Sequence, residues 1–335
     1  MSKRSFILSG LPLTLLGAAL ILAVGAHRFL TTAVAPPAPV RITIPGGASF
    51  DRTAKLLEEK GVVSSAWQLK LLARLKKSTT RIQAGTYLFE TEAVPAQVLQ
   101  RLVAGDIIQL KLVIPEGWTV TEIARRIQEL GLGKEEAVLA LAENPDFIRK
   151  LSLEAASLEG YLFPDTYTFP DGTPEERLLE AMVRQFHSRL TPELKQQAAD
   201  RGLTLHQLTT LASIIQKESG NRSEMPLISA VFHNRLRKGI PLQADPTVIY
   251  GIPDFDGNLT RRHLATFTPY NTYLIRGLPP GPIANPGLEA LQAAVHPAPV
   301  NHLYFVSRGD GSHIFSDTLA EHNEAVLRFQ KRRRR

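Results

Sequence analysis

Two segments of the chain, offset by 70 residues, share one pattern, and this repeat limits the fold more than any other feature of the sequence. The first runs from Val40 to Gly61 and the second from Leu110 to Gly131. In each, a short strand is followed by a turn containing glycine, a residue suited to cap a helix (Ser49 or Thr119), an amphipathic helix and a terminating glycine. The sequence therefore predicts two compact strand-turn-helix units.

An uncharged segment of 22 residues, from Ser5 to Ala26, lies near the N-terminus. At about 1.5 Å per residue, a helix of this length reaches about 33 Å, enough to cross the apolar core of a bilayer. Lys3 and Arg4 precede it, which favours a cytoplasmic N-terminus. We therefore predict a single-pass anchor at 5–27 with the main body outside the cytoplasm. The alternative is a cleaved signal peptide, with small residues near Ala35 resembling a cleavage site.

The charge distribution argues against a nucleic-acid partner. The formal net charge is +7, but residues 331–335 form a basic tail that supplies five of the positive charges. The remaining chain is nearly neutral and carries no nucleic-acid motif. There is no Cys, hence no thiolate metal site and no Cys nucleophile. Because His302, His313 and His322 fit no compact ligand pattern, we interpret them as structural and predict neither a metal nor another cofactor.

The segment from Leu203 to Gly220 is the part of the sequence best suited to chemistry. Its apolar residues recur at helical spacing up to Ile215, so one face of the helix belongs in a core. Glu218 stands on the border of that face, where partial loss of water raises the pKa of a carboxyl group. A shift from about 4.3 to about 6 would make Glu218 a general acid near neutral pH. The alternative is a helix-end carboxylate paired with a nearby Arg.

The chain has no motif of a serine hydrolase, a nucleotide-binding loop or a dinucleotide-binding fold. Its Asn, Gln, Tyr and Thr side chains suit sugar hydroxyls and amides, which favours polysaccharide chemistry. Ordinary glycosidases use two carboxylates. The candidates for the second are Asp165, Asp245, Asp254 and Asp256, and the sequence does not single one out. Asp245 could instead have a purely structural role. It directly precedes Pro246, and an N-cap residue followed by proline at the first helical position is a common start of a helix.

Eight motifs occur in one order along the chain. They are IPEGWT (114–119), LEGYLFPDTY (158–167), ASIIQKES (212–219), VFHNRL (231–236), PLQADPTVIYG (241–251), PYNTY (269–273), GLPPGPI (277–283) and GSHIFSDTLAEHN (311–323). This ordered set resembles the endolytic murein transglycosylases of the MltG, or YceG-like, type. The resemblance covers nearly the whole chain past the predicted anchor. In addition, the opening of each repeat copy resembles a LysM module, a small fold that binds wall glycan.

The resemblance implies a bacterial lyase that cuts nascent peptidoglycan between N-acetylmuramic acid and N-acetylglucosamine without water. In that family reaction, Glu218 would protonate the glycosidic oxygen and then, as carboxylate, take the proton of the muramyl 6-hydroxyl, leaving a 1,6-anhydro end. The implied partners are glycan strands, the membrane and peptidoglycan synthases, with no nucleic acid. The implied location is the inner membrane, with the catalytic domain on its outer side.

Residue type and membership of these motifs suggest which side chains line the glycan groove. These candidates are Asn234, Gln243, Asp245, Thr247, Tyr270, Asn271 and Tyr273. Alongside the lyase, two alternatives stay open. The first is a hydrolytic muramidase of the same fold, and the second is a non-catalytic, membrane-anchored scaffold that binds the wall.

The sequence thus predicts an α+β protein in which an N-terminal transmembrane helix precedes a small LysM-like α/β domain and a mixed α+β catalytic domain. The predicted segments are a cytoplasmic N-terminus (1–4), the transmembrane anchor (5–27), a Pro-rich spacer (28–40), the LysM-like domain (41–140), the YceG-like catalytic domain (150–330) and the basic tail (331–335).

Overall fold

The computed structural model describes residues 10–331, which form two compact units. The first unit contains the chain up to Leu110 together with Phe169–Gly172, and the second contains Lys111–Thr168 together with Thr173–Arg335. The sequence placed the boundary between residues 140 and 150. In the structure the second unit begins earlier, because the second copy of the repeat packs within it.

The first unit consists of four helices and one strand pair among its described residues. These are α1 (Gly10–Thr31), β1 (Val40–Ile44), α2 (Phe50–Glu59), α3 (Ala66–Leu75), β2 (Gly85–Phe89) and α4 (Pro95–Ala104). Strands β1 and β2 pair antiparallel, with Val40 opposite Phe89 and Ile44 opposite Gly85. Leu57 and Tyr87 are fully buried in the core beneath this pair. The Tyr87 hydroxyl donates to the carbonyl of Gln83 at 2.7 Å, so its polar end is satisfied inside the core.

Helix α1 corrects the prediction of a transmembrane anchor at 5–27. Within residues 10–331, no helix combines the length and the apolar character needed to cross a membrane. The prediction took its length from an apolar run that starts at Ser5, and residues 5–9 lie outside the described part of the chain, as do 1–4 and 332–335. The described helix instead continues past the apolar run through Arg28, and Phe29 is buried in the core of the first unit. The predicted anchor, and the inner-membrane location drawn from it, are therefore wrong.

The second unit is mainly helical. Its first half comprises β3 (Gln109–Val113), α5 (Val120–Glu129), α6 (Glu135–Ala142), α7 (Pro145–Lys150), β4 (Thr166–Pro170), α8 (Glu175–Arg189) and α9 (Pro192–Asp200). Its second half comprises α10 (Leu205–Glu218), a 3₁₀ turn (Arg222–Glu224), α11 (Met225–Arg237), α12 (Asp245–Tyr250), α13 (Arg261–Ala265), α14 (Leu288–Val295), β5 (Tyr304–Ser307), β6 (His313–Ser316), α15 (Leu319–Val326) and a π-helical turn (Leu327–Lys331). Strands β3 and β4 pair with each other, and the division between the two units falls within both strands.

Both copies of the repeat form the predicted strand-turn-helix unit. The Ser49 side chain accepts from the backbone N–H of Arg52 at the start of α2, and the Thr119 side chain accepts from that of Glu122 at the start of α5. Gly61 ends the first copy at φ 71°, and Gly131 ends the second at φ 69°. Left-handed backbone of this kind is accessible to glycine at little cost. The mixed α+β fold agrees with the prediction.

Helical periodicity of apolar residues runs without a break through two segments and predicts a single helix in each. In the structure a proline divides each segment into two helices. The segment 174–199 becomes α8 and α9, and the segment 134–151 becomes α6 and α7. Pro192 follows Thr191, whose hydroxyl caps α9, and Pro145 follows Asn144, whose side chain caps α7. Proline has no N–H to donate and disfavours helical backbone in the residue before it, so each cap-proline pair ends one helix and starts the next.

Helix α10 is the centre of the second unit. Thr204 and Gln207 form a reciprocal capping box at its start. Every residue from Leu208 to Ile215 is buried, and the helix packs against α11 and α14. A helix that is covered on all sides over two turns is held in place by its neighbours, which fixes the position of its last residue, Glu218.

Gly160 is required where the loop after α7 approaches α10. Its φ is 89°, and a Cβ atom placed there would lie 2.4 Å from the Pro282 side chain and 2.9 Å from that of Thr209. We expect Gly160→Ala to lower the free energy of unfolding by about 2–4 kcal/mol, because strained backbone and overpacking each cost about 1–3 kcal/mol. Urea unfolding would measure this. Gly202→Ala is the matched control, because Gly202 has a similar φ of 70° but no neighbour within 4 Å. An equal loss in both variants would contradict the steric argument.

Candidate active site

A cleft of about 310 Å³ lies at the C-terminal end of α10. Its walls come from the last residue of α10, from α11, from the loop that leads into α12, from the β5–β6 hairpin and from the C-terminal helical segment. A larger cleft of about 800 Å³ lies elsewhere in the second unit, and there Arg222 and Glu289 form an ion pair. Of the two, the smaller cleft contains an acidic side chain whose pKa is shifted toward neutrality.

Glu218 is that acid. Its side chain is half-buried, and loss of water raises its pKa to about 8, with the neighbouring charge of Asp245 acting in the same direction. Both effects penalise the carboxylate, so the protonated form predominates at neutral pH. The upward direction agrees with the prediction from the sequence. The alternative was that Glu218 pairs with a nearby Arg. Among residues 10–331, Glu218 forms no ion pair.

The last turn of α10 is fixed by contacts on either side of Glu218. The side chain of Gln216 accepts from the backbone N–H of Gly287 at 3.0 Å. The Lys217 ammonium donates to the carbonyl of Gly117 at 3.2 Å. Ser219 then leaves the helix in an extended conformation. Since its neighbours are tied to other loops, Glu218 is held at the cleft by the local backbone.

Asp245 is the second carboxylate of the cleft. The Tyr273 hydroxyl donates to its Oδ1 at 2.6 Å, which is a short, charge-assisted hydrogen bond. The sequence interpretation of Asp245 as a helix cap is wrong, because Ala244 is the N-cap of α12 and Asp245 is the first helical residue, without a side-chain capping bond. Its side chain is therefore available to the cleft. The other carboxylate candidates, Asp165, Asp254 and Asp256, do not line this cleft.

Gln243 lies in the same wall, and its backbone is strained. Its φ is 53°, in the left-handed region that non-glycine residues seldom adopt. The conformation is held by a backbone hydrogen bond from Gln243 to the carbonyl of Thr272 at 3.0 Å and by Arg235, which donates to the Gln243 Oε1 at 3.0 Å. Strained backbone held in this way is typical of functional sites.

Arg235, which is not among the site residues predicted from the sequence, organises this wall. It is 7% exposed, and its guanidinium donates to the carbonyls of Leu303 at 2.7 Å and Leu242 at 2.9 Å as well as to Gln243. It also lies over the ring of Tyr304, 5.1 Å from the centroid. A signal was present in the sequence, because helical spacing places Arg235 seven residues after Ile228 on the apolar side of α11.

The cleft also contains two histidines, His313 and His322, that the sequence analysis interpreted as structural. His313 and Glu224 are joined through His313 Nδ1 and Glu224 Oε2 at 2.8 Å. His322 stacks on Tyr304 with ring centroids 5.2 Å apart, and its buried Nδ1 has no hydrogen-bond partner among the described residues. Burial, aided by the charge of Arg235, lowers the pKa of His322. His302 does not line the cleft. Across residues 10–331, no cluster of His, Asp and Glu side chains is arranged to hold a metal ion.

Of the predicted substrate-binding residues, the structure brings Gln243, Asp245 and Tyr273 together with Glu218 in the cleft. The others lie around it. Asn234 is buried and donates to the carbonyls of Val300 and His302, each at 2.9 Å. Its contacts join α11 to the segment before β5.

The remaining three predicted residues also make contacts within the protein. The hydroxyl of buried Thr247 lies 2.7 Å from that of Thr272. Asn271 is fully buried and donates to the carbonyl of Thr266 at 2.7 Å. Tyr270 packs on Tyr250, with ring centroids 4.8 Å apart. These contacts give the loops on either side of α12 their shape, and direct contact of these side chains with substrate stays a prediction.

Comparison with known proteins identifies the family. The model of the YceG-like family matches residues 42–328, and this chain belongs to that family. It is 33% identical to the endolytic murein transglycosylase of Bacillus subtilis (strain 168) in an alignment of 306 positions that covers 87% of this chain and 84% of the relative. It is 28% identical to the endolytic murein transglycosylase of Streptococcus pneumoniae (strain D39) in an alignment of 319 positions that covers 86% of this chain but 58% of that protein.

A solved structure shows the same relationship. The crystal structure of a putative YceG-like protein from Listeria monocytogenes superimposes with a TM-score of 0.60 at 32% sequence identity, covering 85% of this chain and 98% of that chain. The resemblance to the MltG or YceG-like family that the ordered motifs indicated is therefore confirmed.

Proposed function

We propose that this chain is a peptidoglycan lytic transglycosylase that cuts glycan strands internally, with Glu218 as its acid. The observation that carries the proposal is a cleft in which a half-buried glutamic acid has its pKa raised to about 8. Two relatives are named endolytic murein transglycosylases, and at the level of enzyme class these names confirm the expectation of a lyase acting on peptidoglycan. Nascent glycan strands are the proposed substrate, and a docking partner among the peptidoglycan synthases stays a prediction.

The proposed reaction needs a proton donor at the glycosidic oxygen between N-acetylmuramic acid and N-acetylglucosamine. Glu218 donates its proton to that oxygen as the bond from the anomeric carbon breaks. The 6-hydroxyl of the same muramyl residue attacks the anomeric carbon, and its proton is taken up by a base, for which the family reaction uses the Glu218 carboxylate. A 1,6-anhydro ring forms and no water is consumed.

Asp245 has a proposed electrostatic role beside this reaction. Positive charge develops near the anomeric carbon in such reactions, and a fixed carboxylate close to that carbon stabilises it. The bond from Tyr273 holds Asp245 in one orientation. Glu218 is kept protonated by its raised pKa, and the position of Asp245 is fixed by the hydrogen bond from Tyr273.

Tyr273→Phe is expected to reduce kcat about tenfold to 150-fold, because a hydrogen bond to a charged group contributes about 1.5–3 kcal/mol and here it orients Asp245. Steady-state cleavage of uncrosslinked glycan strands would measure the effect. The unfolding temperature serves as the control, since the ring itself is retained. An unchanged kcat would contradict the role given to this bond.

The pH dependence follows from the raised pKa of Glu218. Because the acid must be protonated to donate, the rate is expected to fall as pH rises through about 8. The free energy of unfolding is expected to change with pH in the same direction as the rate. A carboxyl group whose pKa is higher in the folded than in the unfolded state stabilises the fold most below its unfolded pKa, near 4.3, and loses that contribution as pH rises to about 8.

Glu218→Gln should therefore gain stability relative to the wild type as pH increases from 4.3 toward 8. Thermal unfolding of both proteins over this range would measure the difference. Glu159, whose pKa burial also raises to about 8, is common to both proteins and cancels in the comparison. A stability difference that stays constant with pH would contradict the raised pKa of Glu218.

A hydrolytic muramidase is a second candidate, because Asp245 gives the cleft a second carboxylate. Mass spectrometry of the products from uncrosslinked glycan strands, with the wild type and Glu218→Gln, separates the alternatives. Anhydro-muramyl ends from the wild type alone support the lyase. Reducing ends would favour hydrolysis with Asp245 as the second group, and equal cleavage by both proteins would overturn the role of Glu218. Binding of strands without cleavage by either would favour the wall-binding scaffold.

A further inference from the structure

The imidazole of His322 is a side chain of the cleft that the proposed reaction does not use. His322 lies on α15, and its ring stacks on that of Tyr304 in β5, with the two ring planes 25° apart. The guanidinium of buried Arg235 packs on the same tyrosine ring. Tyr304 is therefore a fixed support, and it holds the imidazole of His322 in one plane.

The two ring nitrogens of His322 differ in their surroundings. Nδ1 is buried and has no hydrogen-bond partner among the described residues. Nε2 also has no partner within residues 10–331, but it is not buried. Because His322 lines the cleft, Nε2 is the ring nitrogen that a molecule bound there can reach.

The surroundings also determine where this imidazole carries its proton. Burial and the charge of Arg235 lower the pKa of His322, so the ring is neutral at neutral pH and has a single N–H. A proton on Nδ1 would create a buried donor without an acceptor, which is rare in folded proteins. A proton on Nε2 leaves only an unpaired lone pair in the interior, which is tolerated more often. His322 therefore presents an N–H donor to the cleft.

An apolar surface accompanies this donor. Val326 stands four residues after His322 on α15, so the two side chains lie on the same face of the helix, and both line the cleft. Leu242, Phe305 and Val306 line it as well. The cleft thus combines the donor of His322 with a surface suited to a small apolar group.

A 2-acetamido group on an amino sugar matches this combination. Its carbonyl oxygen accepts a hydrogen bond, and a methyl group lies beside that carbonyl. A sugar hydroxyl could accept from Nε2, but it would leave the apolar surface uncovered. The ammonium of a de-N-acetylated sugar has no lone pair to accept a hydrogen bond, and the charge of Arg235 in the same cleft would repel it.

We propose that His322 is a specificity-determining residue that donates from Nε2 to the acetamido carbonyl of a sugar next to the cut, in the reaction proposed above, on which this inference rests. The cleft then accepts N-acetylated strands and rejects strands whose amino groups are free. No covalent bond changes at His322, and Glu218 keeps both of its proposed proton transfers.

The test is a double-mutant cycle in which the second change is made in the substrate. The full chain and its His322→Phe variant are given uncrosslinked glycan strands, either N-acetylated or de-N-acetylated, and kcat/KM is measured from the release of new strand ends. We expect His322→Phe to lower kcat/KM about tenfold on N-acetylated strands, the upper range for a hydrogen bond between neutral partners, and less than about twofold on de-N-acetylated strands. The phenylalanine ring can keep the stack on Tyr304, so the comparison isolates the N–H.

His302→Phe is the matched control. His302 also stacks on an aromatic ring, that of Phe315, with the planes 25° apart and the centroids 5.8 Å apart, but it does not line the cleft. This variant should stay within about twofold of the wild type on both substrates.

Equal losses of kcat/KM on the two substrates, or no loss on N-acetylated strands, would overturn the proposal. Should His322→Phe fail to fold, nitrogen NMR of the wild type labelled in its histidines locates the proton of His322. A proton on Nδ1, or an Nε2 signal that N-acetylated strands leave unchanged, would then overturn it. Glu218→Gln is assayed in parallel. If that variant cleaves as well as the wild type, the proposed function itself fails, whereas its inactivity beside an unaffected His322→Phe rejects only the role of His322.

Discussion

Glu218→Gln is expected to cleave glycan strands about 10²- to 10⁴-fold more slowly than the wild type, which is the range that a general acid contributes. Glutamine has nearly the same shape as glutamic acid, so the cleft and the last turn of α10 should be unchanged. It has no proton that it can donate to a leaving oxygen. The raised pKa near 8 is the reason that the effect should already be large at neutral pH, where the wild-type side chain is mostly protonated.

The rate of appearance of new strand ends, measured by chromatography, would provide this ratio. Glu289→Gln is a suitable control, because Glu289 is an exposed acid of the same unit that lies outside the cleft and pairs with Arg222. It should retain the wild-type rate within about twofold, because an exposed ion pair contributes about 0–1 kcal/mol. A slow Glu218→Gln beside a normal Glu289→Gln fits the proposal, and equal rates in all three proteins would contradict it.

Arg235→Met is expected to lower the free energy of unfolding by about 3–5 kcal/mol. The substitution retains much of the side-chain volume but removes every donor, which leaves the carbonyls of Leu303 and Leu242 and the side chain of Gln243 without their partner. Each buried acceptor left unsatisfied costs about 1–3 kcal/mol. Because Arg235 also holds the strained loop that carries Gln243, cleavage should fall together with stability.

Unfolding in guanidinium chloride would measure this loss. Arg237→Met is the matched control, because Arg237 lies on the same helix but is exposed and donates to a single side chain, that of Asn234. The control should stay within about 1 kcal/mol of the wild type. If both variants lose the same stability, the effect comes from a feature of α11 other than the buried guanidinium.

Local sequence rules predicted the parts of this molecule that depend on neighbouring residues. The caps at Ser49 and Thr119 and the glycines that end both copies of the repeat follow from short-range patterns, and the structure contains each of them. Glu218 was identifiable because the periodicity of one helix already places it at the border of the core. Pro145 and Pro192 each mark the start of a new helix. The apolar periodicity nevertheless continues on both sides of each proline and therefore predicts one uninterrupted helix.

The parts that could not be predicted depend on residues far apart in the chain. Glu224 and His313 are 89 positions apart, and Arg235 reaches the carbonyl of Leu303, 68 positions away. No periodicity within one helix or strand encodes such contacts. The anchor prediction failed for a related reason, since an apolar run counted along the sequence does not reveal that Phe29, just beyond it, packs into a core.

The end of α10 and the β5–β6 hairpin line the same cleft although they lie far apart in the chain, and this separation matters during biosynthesis. A protein is made from its N-terminus, and contacts that close long loops form late in folding. Glu218 therefore leaves the ribosome well before His313 and the hairpin that complete the cleft. We expect a nascent chain that ends before the hairpin to contain the acid but to be unable to cut, so that this lytic activity begins only once synthesis of the whole cleft is finished.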